Sequence, residues 1–304
     1  MVKSFDGGVW PVMLTPFKED GTVDHAALDA LVDWYIEEGS KGLFAVCQSS
    51  ELFFLSEQEH LEVAAAVVKR SAGRVPVIAS GHTPDSIEEQ AKHIIDMAKT
   101  GVDAVVLLTN RLAKADEGAQ VWIDNLKKLL SLIPEDICLG LYECPYPYKR
   151  VMAPEEVRFC AESGRFHFLK DTSCDIDNIR MKLEICRGSN LKLYNANSAT
   201  LLESLRCGAV GYSGVMANMQ CRLYAHLCDN IHDPTMDALA EILTMCAMIE
   251  AHLYPVVAKV YLNRNGVPMQ AKCRVKDEKD MNSAILGEVV ALESLTERLE
   301  KHYL

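Results

Sequence analysis

Residues 42–72 read GLFAVCQSSELFFLSEQEHLEVAAAVVKRSA, and the fold follows from the pattern they set. GLFAVC, from Gly42, is continuously apolar, as a strand covered on both faces is. A polar loop follows, then a helical period over 57–72 that opens on a capping box, Ser56 with Glu59 three residues later. The same unit recurs along the chain. GVWPVML (from Gly8) precedes a helix over 25–38 capped by Asp24, VPVIAS (from Val75) leads into 86–99 capped by Asp85, and AVVLL (from Ala104) precedes 119–132. ICLGLY (from Ile137) precedes 154–162, FHFLK (from Phe166) leads to 176–186, LKLYN (from Leu191) to 199–206, and AVGYSG (from Ala209) to a further helical stretch.

Eight strand–helix units with buried strands describe a parallel sheet with eight crossovers, an α/β protein of the (β/α)8 TIM barrel type. An open doubly wound sheet is the rival, but no G-x-G-x-x-G follows the first strand. Strand signals stop near residue 220. Residues 234–260 read as one helix, with Asp233 as N-cap and Pro234 at the first helical position, and 282–302 as the last. NRNGVPMQAKCR connects the two. The expected organisation is a barrel over 1–222 and a C-terminal helical extension of the same domain over 223–304.

The 304 residues suit one barrel, and 49% hydrophobic with 24% charged residues is the balance of a soluble globular chain. With 31 basic against 43 acidic residues the net charge is −12, so the basic field that draws nucleic acid is missing. No apolar run approaches the roughly 18 residues of a membrane span. MVKSFDGGVW has no apolar signal core, which points to a cytoplasmic enzyme. The 11 cysteines are scattered without C-x-x-C spacing and read as buried, reduced thiols. No metal-ligand spacing, P-loop or G-x-S-x-G is present, so no metal is expected.

Barrel enzymes work at the C-terminal ends of their strands. Here those ends are residues 47–51, His82, 142–145, 170–173, 194–197 and 213–214. Lys170 closes the apolar run of the sixth strand. Facing the interior it would lose hydration, shed its proton readily and attack carbonyls; passing the rim it would keep its head in water. Tyr142 ends the fifth strand in the same way, either as a proton relay beside that lysine or as a rim phenol with a wet hydroxyl. Gln48, Ser49 and Ser50 form a polar loop able to hold a carboxylate, or simply a turn and a helix cap. His82 stands at another rim position.

These residues bring the chain close to a known family. GVWPVMLTPFKEDGTVD, E-x-x-x-L-S at Glu51–Ser56, VPVIASG, Tyr142 with Pro145, Lys170 and CGAVGYSGVMAN occur in the order and spacing of the dihydrodipicolinate synthase / N-acetylneuraminate lyase family, which the chain resembles from about Phe5 onward. The resemblance implies a barrel with a helical extension, assembled as a homotetramer or homodimer. It implies Lys170 as the imine-forming lysine, Tyr142 as the proton relay and Ser49 as the carboxylate-binding hydroxyl; Gln48, Ser50, Ser213 and Arg111 are the further substrate-binding candidates on the strand-end loops. The partner is then a small 2-oxo acid, and no cofactor is needed beyond the covalent imine on Lys170.

Departures narrow the activity. The family's G-T-T-G-E loop aligns with Cys47–Glu51, so Gln48 replaces a hydroxyl of the synthase's proton relay. Asn110 and Arg111 stand where the synthase has a tyrosine, and Pro147 stands where it has an arginine. A Schiff-base lyase or aldolase acting on another 2-oxo acid, with pyruvate as the common product, is therefore the reading. Arg111, Lys114 or Arg150 can meet a distal group of the substrate, and Lys149 or Arg150 is a candidate for a shifted replacement of the missing arginine. A 2-keto-3-deoxy sugar acid dehydratase, dihydrodipicolinate synthase activity itself, and a non-catalytic 2-oxo acid binder are the alternatives. A phosphate-binding isomerase barrel would need a glycine-rich cradle after strands seven and eight, where NANSA and SGVMAN stand.

Overall fold

The computed structural model describes residues 5–304; residues 1–4, where the N-terminal reading begins, lie outside the described ones. Eight parallel strands follow one another: β1 (Gly8–Val9), β2 (Leu43–Phe44), β3 (Val77–Ala79), β4 (Ala104–Leu108), β5 (Leu139–Tyr142), β6 (Phe166–Asp171), β7 (Lys192–Asn195) and β8 (Gly211–Tyr212). Their order is β1-β8-β7-β6-β5-β4-β3-β2. The chain after β1 closes the ring on β2 through the parallel bridge Val12↔Phe44, with the Met13 N–H donating to Phe44 O at 3.0 Å. Each strand is followed by its helix: α1 (His25–Glu37), α2 (Glu57–Ser71), α3 (Ile87–Ala98), α4 (Ala119–Leu132), α5 (Pro154–Ser163), α6 (Ile176–Cys186), α7 (Leu201–Arg206) and α8 (Cys221–Asp229). The expected (β/α)8 barrel is what forms, and every residue of β4 is buried, as strands covered on both faces require.

The barrel interior is a packed core. Trp10, Phe44, Phe168 and Tyr194 fill its lower half, with Phe168 against Tyr194 at 4.5 Å between ring centroids and against Trp10 at 5.5 Å. Gly42 is demanded by this plug, since a Cβ there would meet the Trp10 ring at 2.4 Å. Side chains two apart on a strand face the same way, so Lys170 points inward one layer above Phe168. The aromatic layer is thus the floor of whatever site Lys170 occupies.

Helix starts follow the sequence, with two corrections. Asp24 caps α1, the Ser56/Glu59 capping box opens α2, and Asn282 caps the last helix. The cap of α3 is Ser86 rather than Asp85: the Ser86 hydroxyl accepts from the Glu89 N–H, while the Asp85 carboxylate is drawn away to Arg111. The long helix expected over 234–260 is broken. α9 (Thr235–Cys246) runs into a 3₁₀ turn, Ala247–Ala251, the chain turns at Leu253 with φ +51°, and α10 (Val256–Arg264) starts after Pro255. Proline has no N–H to donate and disfavours helical backbone before it, so the helix cannot pass. α11 (Ser283–Tyr303) completes the extension. The boundary drawn between 222 and 223 falls inside α8, which packs on β1 and β8 as the eighth crossover helix.

Among the described residues no single helix is long and apolar enough to cross a membrane; one bent pair, Thr235–Ala251 with Val256–Arg264, meets the length and composition test but turns by 118°.

Candidate active site

Tyr142 and Lys170 are register partners on β5 and β6. The ammonium lies 4.6 Å from the centre of the Tyr142 ring, and both side chains are 4% exposed. Among the described residues Lys170 takes part in no ion pair. Burial lowers its pKa from the usual lysine range to about 8, so a useful share of the amine is unprotonated near neutrality. Burial also pushes the Tyr142 phenol well above its ordinary value, which keeps it a proton donor. The Phe44 ring meets Tyr142 edge-on from below at 5.8 Å.

The loop after β2 is a 3₁₀ turn, Gln48–Ser50. Ser50 is used up within it: its hydroxyl accepts from the Cys47 N–H at 3.1 Å and donates to Met13 O at 2.6 Å. The Ser50 and Glu51 amides close the turn on Cys47 O and Gln48 O. Ser49 and Gln48 are left to face the cavity. Glu51 holds the turn from behind, at φ +61°, with its buried carboxylate accepting from the Lys259 ammonium at 2.8 Å and from the Val275 N–H at 2.9 Å. The C-terminal extension is thereby fastened to the loop of the barrel that carries Ser49.

A second buried ion cluster lies behind the strands. Glu143 and Asp171, the residues after Tyr142 and Lys170, turn away from the barrel axis and both bind the ammonium of Lys182 from α6. All three side chains are fully buried. Glu143 also accepts from the Met152 N–H at 2.8 Å and the Thr172 N–H at 3.0 Å. Burial raises the Glu143 pKa while the Lys182 charge opposes the rise.

Two site residues escape the sequence reading because a 234–260 helix would have carried them past the barrel. Tyr254, beside the break at Pro255, reaches the Ser49 side chain and accepts from Asn218 Nδ2 at 3.1 Å. Glu250 has its pKa raised by burial to about 7, with Lys170 the charge that opposes the rise. The Leu253-Tyr254-Pro255 step was the available signal, since proline so far inside a helical pattern ends it. Tyr254, though not Glu250, lines a cavity of 440 Å³ whose polar members include Gln48, Ser49, Tyr142, Lys170, Tyr254 and Lys276.

Other candidates stand elsewhere. Arg111 does not line the cavity and pairs with Asp85, so it is a brace between loops. Arg150 donates to Glu117 O at 2.9 Å and to Glu156 at 2.7 Å, and Lys149 reaches only Ser173 O at 3.5 Å. Lys114 gives its backbone to this network, its carbonyl accepting from Arg150 at 3.1 Å. His82 is a buried clip: the Leu108 N–H donates to its Nδ1 at 3.0 Å, and its Nε2–H donates to Gln90 at 2.9 Å. Burial lowers its pKa to about 3, so it stays neutral. Ser213 follows β8, with its N–H donating to Asn195 O at 2.8 Å and its hydroxyl buried without a protein partner. It does not line the cavity. Among the described residues no group of three or more His, Cys, Asp or Glu side chains is arranged to hold a metal.

The model of the dihydrodipicolinate synthetase family matches residues 6–278. The chain is 34% identical over 218 residues to the 4-hydroxy-tetrahydrodipicolinate synthase of Laribacter hongkongensis (strain HLHK9), covering 71% of this chain and 72% of that one. With the enzyme of the same name from Shewanella sp. (strain ANA-3) it shares 28% identity over 258 residues, 85% of this chain and 83% of the relative. In structure it is similar to the chloride-inhibited dihydrodipicolinate synthase from Acinetobacter baumannii complexed with pyruvate, at TM-score 0.84 and 19% identity, covering 97% and 99% of the two chains. It is also similar, at TM-score 0.82 and 18% identity over 98% and 99%, to an E. coli K12 prophage protein of the dihydrodipicolinic acid synthase family in complex with pyruvate.

Proposed function

The chain belongs to the dihydrodipicolinate synthetase family of pyruvate-dependent class I lyases, and from that premise we propose that it cleaves or forms a 2-oxo acid through an imine on Lys170, with pyruvate as the common product. The observation that carries the reading is a buried lysine that takes part in no ion pair among the described residues, set against the ring of Tyr142. In this reaction the substrate carboxylate rests on the Ser49 hydroxyl and on the first amides of the 48–50 turn, which the turn itself does not consume. Lys170 condenses with the 2-keto group and expels water. In expelling that water Tyr142 gives its proton to the departing hydroxyl, and the tyrosinate so formed takes the proton from the C4 hydroxyl as the protonated imine accepts the electron pair of the C3–C4 bond, leaving an enamine and a departing aldehyde. The enamine is protonated at C3, and hydrolysis of the imine frees pyruvate and Lys170. The imine is the electron sink, so the reaction calls for no cofactor. Self-assembly into a homotetramer or homodimer and a cytoplasmic location belong to the same reading.

A second reading, 4-hydroxy-tetrahydrodipicolinate synthase, is favoured by the names of the curated relatives. Local chemistry weighs against it. Gln48 stands at a relay hydroxyl and Pro147 at the arginine, while the Asn110 amide, at the position of the synthase's tyrosine, is shared among the carbonyls of Cys144, Tyr146 and Tyr148. If the C4 hydroxyl itself leaves, the same imine supports dehydration. Pyruvate release from 4-hydroxy-2-oxo acids, measured beside condensation of pyruvate with aspartate semialdehyde, separates the readings. Faster release supports the lyase, and faster condensation with the semialdehyde overturns it in favour of the synthase.

A further inference from the structure

Pyruvate has only six heavy atoms, whereas the 440 Å³ cavity in front of Lys170 is of the size that holds drug-like ligands, about 300–1,000 Å³. What lines the remainder therefore reports on the part of the substrate beyond C3. That wall is built by Phe53, Phe54, Tyr146, Val215, Pro255 and Val275. Phe53 and Tyr146 come from the loops after β2 and β5, and their rings meet at 4.8 Å between centroids and 58° between planes. Phe54 and Tyr146 remain 43% and 47% exposed, so their apolar faces are open to a ligand.

Fixed charge is scarce on the same wall. Arg111 is occupied by Asp85, and Arg150 by Glu156 and two carbonyls. The Glu51 carboxylate is turned to Lys259 and to backbone amides. Lys276 is the one lysine or arginine beyond Lys170 among the residues lining the cavity, and it stands exposed at the rim. A second substrate carboxylate would find no bidentate guanidinium there, and a polyol chain would place several hydroxyls against carbon, leaving them without partners.

We propose that the substrate is a 2-oxo acid bearing a flat apolar group, an aromatic ring foremost, on C4, so that the aldehyde exchanged is aromatic. This rests on the imine reading given above and names its substrate class. In the forming direction the pyruvate enamine on Lys170 attacks the aldehyde carbon, and a C–C bond forms between C3 and C4. The aldehyde oxygen takes a proton from Tyr142 and becomes the C4 hydroxyl, and water hydrolyses the imine to release the product and regenerate the amine. Phe53 and Tyr146, already in contact with each other, form one aromatic wall against which the ring lies, where offset or edge contacts between aromatic groups are favourable.

The test is condensation of pyruvate with benzaldehyde, glyceraldehyde and glyoxylate, with borohydride trapping of pyruvate run on the same protein. The expected result is a trapped pyruvate adduct together with kcat/KM at least tenfold higher for benzaldehyde than for either polar aldehyde. Phe53→Ala and Tyr146→Ala should each lower the benzaldehyde value about fivefold to tenfold while leaving pyruvate trapping unchanged. Trapping with equal or better use of glyceraldehyde or glyoxylate would overturn the substrate class and leave the imine chemistry standing. Failure to trap would overturn the imine reading and the substrate class with it. A change of oligomeric state in either variant, with aldehyde preference intact, would assign these aromatic rings to a subunit contact and overturn the proposal.

Discussion

Lys170, on β6, and Lys182, on the helix α6 that follows it, are both buried lysines, and they have opposite surroundings. Lys182 lies behind the sheet between two carboxylates, Glu143 and Asp171, with no exposed surface. Lys170 lies inside the barrel against aromatic rings and takes part in no ion pair among the described residues; the charge nearest to mattering is Glu250, itself pushed toward its neutral form. Lys259, the third buried lysine among the described residues, repeats the Lys182 pattern with Glu51 and the Lys272 carbonyl. Burial alone therefore does not free a lysine's amine; on the proposed reading, burial without an ion-paired carboxylate does. The two kinds are neighbours in the chain as well, because the carboxylates that bind Lys182 directly follow Tyr142 and Lys170.

The contrast is broken most sharply by substitution at Lys170, the proposed nucleophile. Lys170→Arg keeps a cation and the packing but offers no amine that condenses with a ketone, so pyruvate release should fall to background in a steady-state assay while the circular dichroism spectrum is unchanged. At the outer cluster the large effect should be on stability. Lys182→Met leaves two buried carboxylates unpaired and should cost about 3–5 kcal/mol by urea denaturation. Lys170→Met should do the reverse. The Lys170 pKa falls from 10.5 to about 8 on folding, so the unfolded chain holds its proton more tightly. The wild type bears that penalty in full below about pH 8 and loses it as pH rises toward 10.5. Removing the amine should thus stabilise the protein at pH 7 by on the order of 3 kcal/mol.

Smaller effects sharpen the inner half of the comparison. Tyr142→Phe should lower kcat by roughly 10²-fold or more, as loss of a positioned proton donor does, while a pyruvate imine still forms on Lys170. Imine formation in the wild type should rise about tenfold per pH unit below about pH 8 and level off above it, because only the free amine attacks. Glu250→Gln removes the negative charge that favours the protonated lysine, so this limb should shift to lower pH by a fraction of a unit in stopped-flow traces.

Much of this was legible in the sequence. Strands buried on both faces are apolar without interruption, and each helix begins at a polar cap, so the strand–helix alternation could be read unit by unit. A lysine and a tyrosine at the ends of adjacent strands could be placed in the barrel mouth for the same reason. Contacts made over long sequence separations could not. Arg111 looked free because its partner Asp85 lies 26 residues away. Ser50 looked like a ligand because the carbonyl that takes its proton belongs to Met13. Tyr254 and Glu250 were hidden by a helical pattern that one proline interrupts, and the aromatic wall joins loops after two different strands.

The central claim is that the missing counter-charge singles out one of three buried lysines. Borohydride reduction in the presence of pyruvate, followed by intact mass and peptide mapping, addresses it directly. One reduced pyruvate adduct should be found, on the peptide holding Lys170, absent from Lys170→Arg and absent from the peptides holding Lys182 and Lys259. An adduct on Lys182 or Lys259, or no adduct on the folded wild-type protein, would contradict it.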